Sequence, residues 1–215
     1  MSKYLSARIV AATLAAALTL APDLATAQRG TYSSRSHGPT FGVSLAGVGL
    51  STRRGSDDEN LKTEFTGAGV QMEVGWFMLD SHFGLVIDYA NMNIDEDGPP
   101  NVRQYNHIAG LGRYMFRSDR DIARPYLELG ISRREVTART PGGTPRNARA
   151  QSIGGALGGG VQLFMARAVA IDLGAQLGLG GFGDWESGDD VIGSLPEITQ
   201  STGVVKLGVR FWPGY

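Results

Sequence analysis

From residue 40 onward, apolar side chains alternate with glycine, small or polar ones in eight separate stretches. A period of two gives one apolar face and one small or polar face, the pattern of a β-strand rather than a helix. In the first stretch, about 40–51, Phe41, Val43 and Leu45 alternate with Gly42, Ser44 and Ala46. In the second, about 64–77, Ala68, Val70, Met72, Val74 and Trp76 oppose Gly69, Gln71, Glu73 and Gly75. In the third, about 83–91, Phe83, Leu85, Ile87 and Tyr89 oppose Gly84, Val86 and Asp88. The fourth, about 103–116, alternates weakly; placing Ile108, Gly110, Gly112, Tyr114 and Phe116 outward turns Arg113 inward. In the fifth, about 124–134, Leu127, Leu129 and Ile131 oppose Tyr126, Glu128, Gly130 and Ser132. The sixth, about 151–165, sets Ile153, Leu157, Val161, Leu163 and Met165 against Ser152, Ala156, Gly158, Gly160 and Gln162. The seventh, about 168–180, sets Val169, Ile171, Leu173, Ala175, Leu177 and Leu179 against Asp172, Gly174, Gln176 and Gly178. The eighth, about 201–212, sets Val205, Leu207, Val209 and Phe211 against Lys206, Gly208 and Arg210.

The connections sort by length. Those at about 52–63, 92–102, 135–150 and 181–200 are long and polar, with SDDEN, DEDGPP, TPGGTPRN and DWESGDD. Those between them are short: LDSH, RSDRD and ARA. Strict alternation of long outside loops with short periplasmic turns, an even strand number, and stretches able to supply about 9–11 tilted residues describe an outer-membrane barrel. Closure lets every backbone group bond to a neighbouring strand, as lipid requires. The aromatics add to this. Trp76, Phe77, Phe83, Tyr114, Phe116, Phe164, Phe211 and Trp212 lie beside short turns or the carboxyl end, and Phe65, Tyr89, Tyr105 and Phe182 near long loops. Two interfacial girdles are expected from that placement. The expected fold is all-β, an eight-stranded antiparallel up-and-down transmembrane β-barrel.

The amino-terminal segment differs in kind. Lys3 and Arg8 precede an apolar run from Ile9 to Leu20, Pro22 and Asp23 end it, and Ala25-Thr26-Ala27 is a small-residue cleavage site. This is the form of a secretory signal peptide, too short to span a bilayer as a helix. The expected division is residues 1–27 a cleaved signal, 28–39 a flexible periplasmic segment, and 40–215 the barrel, exported to the outer membrane. With 20 basic and 21 acidic residues the chain shows no basic excess for nucleic acid. The absence of cysteine removes disulfides, thiolate metal sites and a cysteine nucleophile.

Three fragments, RPYLELGIS at 124–132, GGGVQLFMARAVAIDLGAQLGLG at 158–180 and VVKLGVRFW at 204–212, together with the export signal, resemble the small eight-stranded outer-membrane β-barrel family of the outer membrane protein A and X type. The resemblance covers roughly 40–212. It implies the fold and the compartment; members include structural tethers, adhesins, small pores and a few lipid-modifying enzymes. Two departures are that Pro213-Gly214-Tyr215 follows the last strand, where the family often ends on an aromatic, and that there is no room for the peptidoglycan-binding domain of some relatives. Phe211 or Tyr215 is the candidate signal for the barrel-assembly machinery.

Candidate chemistry is sparse. Glu73, Asp88, Arg113, Glu128, Asp172, Lys206 and Arg210 are expected to face inward. An eight-stranded lumen is just wide enough to be filled by side chains, so these charges should pair into a plug. The inward glycines Gly69, Gly84, Gly158, Gly160, Gly174 and Gly178 would leave some space for a narrow water path. A barrel lipase or acyltransferase needs a histidine beside a serine with an acid to orient it. Of His37, His82 and His107, only His107 is placed for this, with Ser152 level across the barrel. GGALGGG lacks the Lys-Ser/Thr of a phosphate loop and continues as a strand. Asp57-Asp58-Glu59, Asp95-Glu96-Asp97 and Asp189-Asp190 lack the calcium-loop pattern and read as solvated loop tips. Arg133, Arg134, Arg139, Arg146 and Arg149 make the third long loop basic, which raises contact with anionic lipopolysaccharide as a hypothesis.

The sequence therefore leads to a structural or surface-interaction protein of a Gram-negative cell envelope. It is expected to be a monomer among outer-membrane lipids, with no catalytic, cofactor-binding or metal-binding residues. The rivals are a small porin-like pore or transport protein, a lipid-modifying barrel enzyme, and a soluble periplasmic barrel of the lipocalin type with its apolar faces inward.

Overall fold

The structure, a computed structural model, describes residues 38–54, 61–78, 82–94, 102–116, 122–139, 147–166, 168–187, 190–191 and 197–213. The export segment, His37, Arg146 and the acidic tips at 57–59 and 95–97 lie outside the described residues. Eight long strands form the wall: β1 (Gly38–Arg54), β2 (Leu61–Met78), β3 (Phe83–Ile94), β4 (Val102–Met115), β5 (Ala123–Arg139), β6 (Asn147–Ala166), β7 (Val169–Leu179) and, after two short strands, β10 (Glu197–Phe211). Each pairs antiparallel with its neighbours in the chain, and β1 pairs β10 to close the ring. The short strands β8 (Glu186–Ser187) and β9 (Asp190–Val191) form a small hairpin that attaches to β6 where β7 has ended.

The register fixes the tilt. Paired residues followed round the wall from Ser44 reach Ser152 on β6 in one direction and Gln162 in the other, ten residues further on. That stagger inclines the strands at about 35–45° and keeps the lumen narrow enough for side chains to fill.

Sidedness follows the alternation on every long strand. Leu45 and Ile131 are each 71 % exposed and Ile153 is 78 % exposed, and side chains of this kind stand outward on all eight staves. A continuous apolar exterior of this extent is unfavourable in water and is satisfied by lipid. Arg113 faces inward, as the reading of the weak fourth stretch requires.

The staves run further than the sequence pattern indicates, mostly at the long-loop end. β5 continues to Arg139 and β6 starts at Asn147, so most of the expected third loop is wall. Alternation persists there, with Val136, Ala138, Ala148 and Ala150 buried, but the outward partners are Glu135, Thr137, Arg139 and Arg149. Once the outer face leaves lipid it must be polar, and a polar outer face beside small inner residues reads as a loop. One consequence is a correction: Arg134 points into the barrel and is 1 % exposed, so it is no part of a basic surface loop.

The girdles need correction as well. At the short-turn end Trp76, Tyr114, Phe116 and Phe211 do stand outward, but Phe77, Phe164 and Trp212 turn inward. They pack as a stopper of tilted rings, with ring centroids 4.8 Å apart for Phe77–Trp212 and 6.1 Å for Phe164–Trp212. At the other end Tyr89 faces out, Tyr105 and Phe182 face in, and the side chain of Phe65 lies outside the described residues.

Candidate functional site

The interior is the candidate site, because the polar and charged side chains that the sequence singles out converge there. Glu73 on β2, Arg113 on β4, Glu128 on β5, Asp172 on β7, and Lys206 and Arg210 on β10 form one network in the middle of the barrel. Arg113 donates from Nε and Nη2 to Glu128 Oε2 at 2.9 and 2.6 Å, and from Nη2 to Glu73 Oε1 at 2.8 Å. Lys206 Nζ donates to Glu73 Oε1 at 2.6 Å. Arg210 bonds Glu73 through Nη2, Asp172 Oδ2 through Nε at 3.2 Å and Thr40 Oγ1 through Nη1 at 3.2 Å. The Tyr126 hydroxyl donates to Asp172 Oδ1 at 2.8 Å, under the Arg113 guanidinium, which lies 4.3 Å from its ring centre.

Three carboxylates meet three cations, so the layer carries no net charge. This balance is what allows such groups to stay ionised out of water. Sequence alternation correctly turned all of them inward, but the partners follow from the stagger of the strands, which residue spacing does not show. Inward side chains of this network and of the layers beside it take up space at several of the glycines. A Cβ on Gly158 would come within 2.6 Å of Glu128 Oε1, one on Gly160 within 2.6 Å of Tyr126 Oη, and one on Gly178 within 2.6 Å of Thr202 Oγ1. At Gly84 the Phe77 ring lies in the same position, 2.6 Å away. These glycines therefore admit larger neighbours.

Asp88, though paired in register with Glu73, belongs to a separate layer towards the long-loop end. It accepts from Gln71 Nε2 at 3.0 Å and Gln176 Nε2 at 3.4 Å, and lies 2.6 Å from His107 Nε2. Above it, Arg134 donates to Ser152 Oγ at 2.8 Å, Thr202 Oγ1 at 3.3 Å and the Gly180 carbonyl at 2.9 Å. Sequence reasoning missed Arg134 as an interior residue because it adjoins Arg133; only its even parity with Glu128 and Ser132 signals its side. His107 and Ser152 are level in register, on either side of Arg134, but each bonds elsewhere and they form no pair. His82 lies in a short turn with Nδ1 3.1 Å from the Met115 carbonyl oxygen. Among the described residues, no group of three or more His, Asp or Glu is placed to hold a metal ion.

At the long-loop end the chain after β7 folds over the interior. Gly180, at a φ of +122° that only glycine adopts easily, turns the chain inward after β7. Phe182 then lies over Arg134, with 5.2 Å between its ring centre and the guanidinium carbon, and Trp185 is buried among Leu50, Met92, Ile94, Val136 and Ala148. The fourth long connection is thus not only a solvated tip: part of it is a cap.

No family model matches the chain, and no curated protein matches its sequence. Solved structures do match its shape. Neisserial surface protein A is similar with a TM-score of 0.56 at 17 % identity, over 81 % of this chain and 99 % of that one. The outer membrane protein AlkL, determined in DMPC lipid bilayers, gives 0.53 at 12 % identity, over 86 % and 93 %. Ail, the attachment invasion locus protein of Yersinia pestis, solved with the heparin analogue sucrose octasulfate, gives 0.51 at 13 % identity, over 81 % and 99 %. With its closed ring of eight long antiparallel strands, apolar outside and ion-paired within, the chain has the fold of the small eight-stranded outer-membrane β-barrels.

Proposed function

We propose that the protein is a closed outer-membrane barrel with a structural or surface-interaction role, delivered by its amino-terminal export segment, and that it neither conducts nor catalyses. The observation that carries this reading is the filling of the lumen in successive layers. The Phe77–Phe164–Trp212 stopper, the neutral ion network, the Asp88 layer and the Trp185 cap follow one another along the axis. In planar bilayers the purified protein should leave the current at baseline; uniform ohmic steps in voltage-clamp recordings would favour the pore reading instead.

The surface partner we infer is the phosphate-bearing headgroup of an anionic outer-leaflet lipid. Arg133 stands outward between the lipid-facing Ile108 and Ile153, its paired residues, at the upper border of the apolar belt. Its Nη2 donates to Gln151 Oε1 at 3.0 Å, which holds the guanidinium against the wall. Arg139 and Arg149 continue the exposed basic face above it, interrupted by Glu135 and flanked by Glu186. The basic feature is thus the outer face of β5 and β6 instead of a loop. Headgroup phosphates at that height would meet guanidinium groups suited to bidentate bonding. Replacing Arg133, Arg139 and Arg149 together by glutamate should reduce co-purifying lipopolysaccharide several-fold with the barrel still folded; unchanged lipid content by mass spectrometry would refute the assignment.

A further inference from the structure

The layer around Asp88 holds more polar atoms than it pairs. Gln71 Oε1, His107 Nδ1, Ser132 Oγ and Arg134 Nε are all buried and have no hydrogen-bond partner. The four residues are at most 4 % exposed. They share one region: Gln71, Ala90, His107 and Arg134 are successive partners across β2 to β5, and Asp88, Ala109 and Ser132 form the adjacent row. Gln71 and His107 grip the same carboxylate from β2 and β4, the strands on either side of β3, so their unpaired atoms are the ones turned away from it. Ala90, Ala109 and Ser132, the intervening inward residues, are small. A buried polar atom left unpaired costs about 1–3 kcal/mol, and four in one layer mark the place of something that bonds them.

The donor and acceptor pattern limits what that is. Gln71 Oε1 only accepts. His107, with Nε2 turned to Asp88, presents Nδ1, a ring nitrogen that accepts or donates with the proton it carries. Arg134 Nε only donates, and the Ser132 hydroxyl does either. An anion would satisfy Arg134 but leave Gln71 Oε1 unpaired and face Asp88. A cation would be repelled by Arg134. A neutral hydroxyl, both donor and acceptor, fits all four.

We propose that this layer is a built-in binding chamber for neutral hydroxyl groups, roofed by the Phe182–Trp185 cap and floored by the ion network. The hydroxyl chemistry comes from ordered water or from a small polyol. Arg134 has two tasks there: its Nη2 holds the roof at Gly180, and its Nε faces the chamber.

The test is nuclear magnetic resonance of the full barrel in lipid nanodiscs, with 15N-labelled histidine and side-chain-labelled serine. Cross-relaxation from long-lived water to His107 and Ser132, unchanged on adding glycerol, supports the chamber and names water as its occupant. A saturable shift of the His107 ring nitrogens with glycerol, lost in Ser132→Ala, supports it with a polyol as ligand. Neither water nor glycerol contact, or an Nδ1 bonded directly to the Ser132 hydroxyl, overturns it. Ala109→Val supplies a second readout. It should fill the chamber, removing the solvent contacts and lowering the denaturant midpoint, because the four polar atoms then lose their partner; loss of the contacts with an unchanged midpoint would contradict the assignment.

Discussion

Replacing Arg113 by alanine should destabilise the barrel by about 3–5 kcal/mol. The guanidinium is fully buried and bridges Glu128 and Glu73, with Asp172 at 3.6 Å from Nη1. Without it three carboxylates share two cations, Lys206 and Arg210, and Glu128 keeps only a distant lysine, 3.8 Å away. The loss is electrostatic more than steric, so the double variant Arg113→Met with Glu128→Gln, which restores the charge balance, should recover a large part of it. Urea unfolding in lipid vesicles, followed by tryptophan emission, reads both. Equal midpoints for the single and double variants would mean that ion pairing does not hold this layer.

The second large effect is expected on the outside. Leu129, in the middle of β5, is 67 % exposed on the apolar face. Arginine there should cost about 2–4 kcal/mol, as a cation at the bilayer midplane does. The same charge at Thr137, eight residues along on the same outward face but beside Glu135 and Arg139, should cost no more than about 1 kcal/mol, because that height is near or beyond the interface. Folding titrations of the two variants into vesicles compare them directly. A soluble barrel would tolerate both equally.

Much of this architecture is legible in the chain, for a definite reason. Lipid outside and a narrow polar lumen inside impose opposite chemistry on alternate residues, so Glu73, Glu128, Asp172, Lys206 and Arg210 declare their side from parity alone. Legibility fails where that contrast fades. Above the bilayer, Val136 and Ala138 still face in, but Glu135 and Arg139 face water, and the segment reads as a loop. At the short-turn end an aromatic can serve either face, so Trp212 next to Phe211 reads as girdle although it packs on Phe77. The pairings within the site are hidden for another reason. Asp88 and Glu73 are neighbours across β2 and β3, yet strand stagger sends them to different layers. The Trp185 cap carries no periodic signal, since β7 ends at Leu179 and the chain leaves the wall.

The central claim is that the apolar faces of the staves meet lipid while the charged faces meet each other. The chain has no cysteine, so single cysteines can be placed without background. Nitroxide labels at positions 127, 129, 131, 137 and 139 all lie on the outward face of β5. In vesicles, the first three should collide freely with oxygen and hardly at all with a water-soluble nickel complex, while 137 and 139 should show the reverse. Nickel access at 127, 129 and 131 equal to that at 139, or burial of all three from both reagents, would contradict the lipid-facing barrel.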